Sequence, residues 1–246
     1  MLFDHHEITD GWNLLTYRAS NSVDLPYCLY IPTRLDTEKK YPCIFYMHSA
    51  GVRCDDNSHI YKGEAKFLRN LETSSYKNDV IVIAPCCPKT DKWVDVPSPS
   101  NIVYDLKNAK STRYMAAATE LFDLAIGSMP VDVCRLYLYG MSMGGFAVWD
   151  LLTKQPKTFA AAISVAGAGD PTAAAEFEDT ALWLFHGTED KIVPYQSSIA
   201  MHDALIAAGR YDVKLTTFDG AGHGIWSMTA DTEGLFDWLF AQKRAD

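Results

Sequence analysis

The sequence predicts an α/β protein with a mostly parallel, eight-stranded sheet and helices on both faces. Three observations predict it. Short apolar runs alternate with helical patterns along the chain, the order that a parallel sheet with crossover helices produces. The 246 residues are 48% apolar and 22% charged, an ordinary globular composition that excludes a disordered chain. No internal repeat, low-complexity tract or Pro/Gly/Ser linker interrupts them, so residues 1–246 read as a single domain.

The first two apolar runs, residues 14–18 and 27–31, flank the turn-rich Asn21-Ser22-Val23-Asp24 and read as an antiparallel hairpin. Six further strands are expected at 43–47, 80–84, 136–139, 161–165, 182–185 and 213–218. Ser111 is a suitable N-cap for a helix to about residue 126, with Gly127 at its end. Residues 143–154 read as a helix stopped by Pro156. Residues 195–208 read as another, with Gly209 just past its end. The last helix is expected over about 229–242, where Leu235, Phe236, Trp238, Leu239 and Phe240 give it an apolar face. Residues 49–62 and 85–106 are irregular and polar, and both follow strand C-termini, where open α/β sheets place ligand sites.

The charge balance excludes several function classes. A net charge of −9 without a basic run does not suit a nucleic-acid binder, which needs a positive stripe to displace counterions. Nor does it suit an anionic membrane surface. No apolar run nears the roughly 18 residues of a membrane span. The N-terminus lacks a basic segment followed by an apolar one, so no signal peptide is visible and a cytoplasmic location is expected. Six cysteines, at 28, 43, 54, 86, 87 and 134, show no CxxC or Cys/His metal spacing and read as buried thiols of a reducing compartment. No metal is expected.

The strongest motif is Gly140-Met141-Ser142-Met143-Gly144-Gly145, which follows the apolar Leu136-Tyr137-Leu138-Tyr139 and precedes a helical pattern. This is G-x-S-x-G between strand and helix. The tight turn strains the serine backbone, and Gly140 and Gly144 keep side chains off the neighbouring strand and helix. Ser142 is the expected nucleophile, and the Met143 N–H at the helix start is aimed at an incoming oxyanion. A serine nucleophile on this architecture needs an acid and then a histidine, in that order. The apolar strand ending in His186-Gly187-Thr188-Glu189-Asp190 supplies the acid, Asp190, with adjacent Glu189 and, one strand earlier, Asp170 as alternatives. The glycine-rich Asp219-Gly220-Ala221-Gly222-His223-Gly224 supplies the base, His223. His186 reads as structural; His5, His6, His59 and His202 have no motif around them. The second oxyanion amide is expected in His48-Ser49-Ala50-Gly51, from Ala50 first and Ser49 next.

Taken together, His48-Ser-Ala-Gly51 with Asp55-Asp56-Asn57, Ala84-Pro-Cys-Cys-Pro88 with Trp93, and Gly140-Met-Ser-Met-Gly-Gly145 with Trp149-Asp150 resemble one family. His186-Gly-x-x-Asp190-x-x-Val193-Pro194 and Gly222-His223 complete the set. The chain is similar to the α/β-hydrolases, and within them to the small esterases of the predicted-peptidase and feruloyl/acetylxylan-esterase-like group, relatives of the prolyl oligopeptidase catalytic domain. The resemblance runs from about residue 10 to 243. It implies an α/β-hydrolase fold, Ser142 as nucleophile, Asp190 as acid, His223 as base, oxyanion amides from Met143 and the 48–51 loop, and no cofactor. The chain departs from the pattern at Ser49, where the family usually has glycine, and it lacks the large lid of some lipases and feruloyl esterases.

These features lead to serine-dependent hydrolysis of a small-molecule or carbohydrate ester, carrying a short acyl, acetyl or feruloyl group. A small serine peptidase of the prolyl-oligopeptidase type is the rival within enzymes. A non-catalytic α/β-hydrolase binding protein is the rival outside them. Trp93 and Trp226 are expected to rim the site as an aromatic wall for substrate, whereas Trp149 is expected in the core.

Overall fold

Eight strands form one open sheet in the order β1-β2-β4-β3-β5-β6-β7-β8. The computed structural model describes residues 9–53, 60, 65–177 and 179–245. The strands are β1 (Gly11–Arg18), β2 (Asp24–Ile31), β3 (Tyr41–Met47), β4 (Ile81–Pro85), β5 (Val131–Met141), β6 (Ala161–Val165), β7 (Ala181–Gly187) and β8 (Lys214–Phe218). The hairpin β1–β2 is antiparallel, β2 meets β4 antiparallel, and all the remaining pairs are parallel. All eight expected strands are present.

Why these runs form central strands is visible in their burial. Every residue of β3, β4 and β6 is buried, as strands covered on both faces require. Alternate residues serve the two faces. Leu136 and Leu138 of β5 join one core cluster, with Cys43, Phe45 and Met47 of β3. Tyr137, Tyr139 and Met141 join the other, with Ile44 and Tyr46. Trp149 is buried in the first cluster, as expected.

The helices are α1 (Lys66–Thr73), α2 (Arg113–Ser128), α3 (Met143–Lys154), α4 (Tyr195–Ala207), α5 (Trp226–Ala230) and α6 (Leu235–Ala241). Three expectations are corrected. Thr112, not Ser111, caps α2: its hydroxyl accepts from the Met115 N–H at 3.0 Å, while Ser111 Oγ accepts from Lys154 Nζ at 2.9 Å. Gly127 lies inside α2, which runs to Ser128, two residues before Pro130. The last expected helix is two helices. Asn70 on α1 donates to the Ala230 carbonyl at 2.8 Å, and Gly234 takes the left-handed conformation, φ 71°, that restarts the chain as α6. Among the described residues, no helix is long and apolar enough to cross a membrane. The five described cysteines are buried; Cys54, Asp55, Asp56, Asn57, His5, His6 and His59 lie outside the described residues.

The strand order positions the site. From β3 the chain crosses to β4 on one side and returns to β5 on the other, so the loops after β3 and β5 diverge. Such a switch point leaves a crevice beyond the strand C-termini. The register brings those ends level: Met47 is opposite Gly140, Met141 opposite Val165, Val165 opposite Phe185, and Gly187 opposite Phe218. The loops carrying Ala50, Ser142, Asp190 and His223 therefore open on one edge.

Candidate active site

Ser142 sits between β5 and α3 with φ 52° and ψ −115°, a backbone region that costs a non-glycine residue of order 1–3 kcal/mol. Packing on both sides holds it there. Its N–H donates to the Val165 carbonyl at 2.8 Å, and its carbonyl accepts from the Phe146 N–H at 3.0 Å. The flanking glycines have no room for a side chain. A Cβ on Gly144 would lie 1.9 Å from the Met47 oxygen, and one on Gly140 would lie 2.1 Å from the Gly144 oxygen. The turn thus presses the start of α3 against the end of β3.

Three sequence-derived residues come together. His223 Nε2 is 2.8 Å from Ser142 Oγ, and His223 Nδ1 is 2.6 Å from Asp190 Oδ2. A carboxylate only accepts, so Nδ1 carries the proton and Nε2 accepts from the serine hydroxyl. Asp190 Oδ1 accepts from the N–H groups of Ile192 at 2.8 Å and Val193 at 3.0 Å. The alternatives for the acid are placed elsewhere. Asp170 accepts from the Thr172 and Leu106 N–H groups at 3.0 and 3.1 Å, capping the 3-10 turn Pro171–Glu176 and pinning the loop before α2. Glu189 is exposed.

His186 was assigned a structural place by sequence, and its surroundings add to that. It is fully buried, with Nε2 3.0 Å from the Val193 carbonyl and 3.2 Å from Asp190 Oδ2, and Nδ1 2.7 Å from Ser198 Oγ. Both groups at Nε2 are acceptors, so Nε2 bears the proton and Ser198 donates to Nδ1. Asp190 therefore carries two imidazole N–H groups on one oxygen and two backbone N–H groups on the other. Burial pushes its carboxyl up, but the hydrogen bonds from His186, His223 and the Ile192 amide, with the attraction of His223, hold it well below the usual carboxylate range. The sequence signal was spacing: His186 stands four residues before Asp190, across a tight turn.

The loop after β3 is built on a second buried histidine. His48 Nδ1 donates to the Ser49 carbonyl at 2.7 Å, and Nε2 accepts from the Cys87 N–H at 2.9 Å. Burial lowers its pKa to about 4; the bond to the Ser49 carbonyl opposes this and the Arg53 charge adds to it. The departure at Ser49 has a local use. Its Oγ accepts from the Gly51 N–H at 3.2 Å and caps the 3-10 turn Ala50–Val52. Ala50 opens that turn and Met143 opens α3, so both N–H groups lie among the donors that a helix start leaves without an intrahelical acceptor. Both residues line the same cavity as Ser142.

That cavity measures about 320 Å³, within the range of small-ligand sites. One of the two expected substrate residues, Trp93, is corrected. Trp93 is fully buried beneath the loop after β3, donating its indole N–H to the His48 carbonyl at 3.2 Å with the rings edge to face. The half-buried Trp226 ring stands edge-on to His223, 5.2 Å between centroids, beside the site. Val94, Val96, Pro97, Pro99, Phe146 and Ile192 form the wall, with Arg53 and Lys92 among them. Indole N–H groups need a partner when buried, and the His48 carbonyl beneath the loop draws Trp93 inward. The sequence offered no signal for that depth.

Comparison with known proteins follows this geometry. A family model described as phospholipase/carboxylesterase matches residues 92–231. No curated protein sequence matches the chain significantly. Among solved structures, a thermostable esterase aligns at TM-score 0.81 and 26% identity, covering 95% of this chain; the chain spans 63% of that esterase's length. A ferulic acid esterase aligns at TM-score 0.68 and 16% identity, over 94% of this chain and 100% of its own. A fluorophosphonate-binding serine hydrolase of Staphylococcus aureus aligns at TM-score 0.68 and 14% identity, over 94% and 99%. The last two are likenesses of fold.

Proposed function

The chain belongs to the phospholipase/carboxylesterase family, and from this premise we propose that it hydrolyses carboxylic esters through an acyl-enzyme formed on Ser142. The observation that carries the reading is the unbroken chain Ser142–His223–Asp190, with contacts of 2.8 and 2.6 Å, opening on a cavity that Met143 and Ala50 also line.

In the proposed mechanism Ser142 Oγ attacks the ester carbonyl as its proton passes to His223 Nε2. Asp190 fixes the imidazole tautomer and stabilises the cation that forms. The Met143 and Ala50 amides stabilise the tetrahedral oxyanion. His223 then protonates the departing alcohol, and water releases the acid from the acyl-serine by the same steps in reverse roles. The strained Ser142 backbone holds the nucleophile in place before substrate arrives, so little reorganisation is needed at the moment of attack.

The largely aliphatic wall, with Phe146 as its one aromatic member among the residues named, supports a short acyl or small-molecule ester over an extended aromatic platform. A panel of p-nitrophenyl acetate to butyrate, methyl ferulate, acetylated xylan and a proline peptide anilide tests the reading. Turnover of the p-nitrophenyl esters with the anilide inert is the expected result. Cleavage of the anilide alone contradicts it, and no turnover of any member favours a binding protein.

A further inference from the structure

Resting on the reading of Ser142 as nucleophile, we propose that the cleft selects esters bearing a carboxylate next to a short apolar segment, and that Arg53 binds the carboxylate. The protein carries a net charge of −9, yet the cavity holding Ser142 is lined by Arg53 and Lys92 and by no described carboxylate. Other cavities have the opposite lining. One between α2 and α3 holds Glu120, Asp123 and Asp150 beside Lys154. Two over the 95–109 loop hold Asp95 with Asp105, and Asp105 with Asp170 beside Lys107. Of these four cavities, the one with the nucleophile has the positive lining, and a cleft of one sign concentrates a ligand of the other.

Of the two cations, Lys92 is already paired: its Nζ lies 2.7 Å from Asp95 Oδ1. Arg53 is anchored, and no described carboxylate is paired with it. Nε donates to the Ala50 carbonyl at 3.1 Å and Nη1 to the Asp91 carbonyl at 3.0 Å. Its described partners are these two carbonyls. They fix the guanidinium plane and use two of its five N–H groups, leaving donors in the fork geometry that matches a carboxylate. The anchor through Ala50 also ties the anion site to the turn that supplies an oxyanion amide. One segment therefore positions both the reacting carbonyl and the charge at a fixed distance from it. Val94, Val96 and Ile192 line the same cleft, which suits an apolar stretch between them.

The carboxylate can belong to the acyl half or to the alcohol half, and two ester pairs separate these. Monophenyl adipate against phenyl heptanoate tests the acyl half; 4-(butyryloxy)benzoate against 4-(butyryloxy)acetophenone tests the alcohol half. Wild-type protein is expected to favour the anionic member of one pair about tenfold or more in kcat/KM, mainly through KM, as expected for a charge-assisted pair. Raising salt from about 0.05 to about 0.5 M should narrow the preference. Arg53→Gln should remove it and Arg53→Lys should retain part of it. Equal or reversed preference in both pairs with wild-type protein overturns the proposal, whether or not the variants fold. So does a preference that survives in folded Arg53→Gln. Hydrolysis of neutral members as fast as anionic ones sinks only this inference, whereas failure to cleave any of the four sinks the esterase reading beneath it.

Discussion

Asp190 spends its whole hydrogen-bonding capacity on holding one histidine still. Its two oxygens take N–H groups from His223, His186, Ile192 and Val193. A hydrogen bond to a charged group is worth about 1.5–3 kcal/mol, so His186→Ala should lower kcat/KM by roughly 10- to 100-fold. With one donor fewer, the Asp190 carboxyl rises towards the ordinary range. A kcat/KM equal to that of wild type would show that His186 only packs. Asp190→Asn should cost roughly 10⁴-fold in kcat, as an amide cannot hold the same imidazole tautomer, while Asp170→Asn should leave the chemistry in place and loosen the loop at Leu106. Ser142, Asp190 and His223 were legible because each stands at a strand end in a short motif whose residue types serve only a few purposes. Trp93 was misread because loop position does not reveal depth. The buried partners of an indole N–H, or of an imidazole face, come from elements distant in sequence.

At the scale of elements, the serine turn is a contact between two strands and a helix. The Cβ of Gly144→Ala would fall 1.9 Å from the Met47 oxygen, so α3 must lift from β3 and carry the Met143 amide and Ser142 with it. The expected outcome is a loss of kcat/KM of roughly 100-fold or more, as displacing a group near the chemistry by about 1 Å costs, with a lowered melting temperature. Full activity with an unchanged melting temperature would contradict the close approach. Elements with strong periodicity were read correctly, including the hairpin β1–β2 and the four parallel strands from β5 to β8. The split of the last helix was hidden. The apolar pattern of Leu235, Phe236 and Leu239 continues a helical spacing, and only Gly234, in the left-handed region, marks the restart. The Asn70 bond to the Ala230 carbonyl that closes α5 comes from the other end of the chain.

At the scale of the whole molecule, we propose that residues 1–246 unfold as one domain. One sheet carries a core cluster on each face, so urea titration followed by fluorescence and by far-ultraviolet circular dichroism should give coincident transitions. Acid should weaken the fold in a defined window. His48 is neutral in the native state, its pKa lowered by burial from 6.5 to about 4. As pH falls through 6.5 the unfolded chain takes up a proton that the native chain refuses. Stability is therefore complete above about pH 6.5 and is lost progressively down to about pH 4, by about 3 kcal/mol from this group. Asp190 adds a further loss below about pH 4, where its unfolded carboxyl protonates first. His48→Gln should flatten the decline between pH 6.5 and 4; an equally steep decline would assign it to other groups. Above all of these stands the acyl-serine. Wild type and Ser142→Ala, treated with a fluorophosphonate probe and read by intact mass, should differ by one adduct that maps to Ser142. Turnover of p-nitrophenyl butyrate should fall roughly 10⁴-fold or more in the variant. Full labelling of Ser142→Ala, or turnover at the wild-type rate, would contradict the assignment.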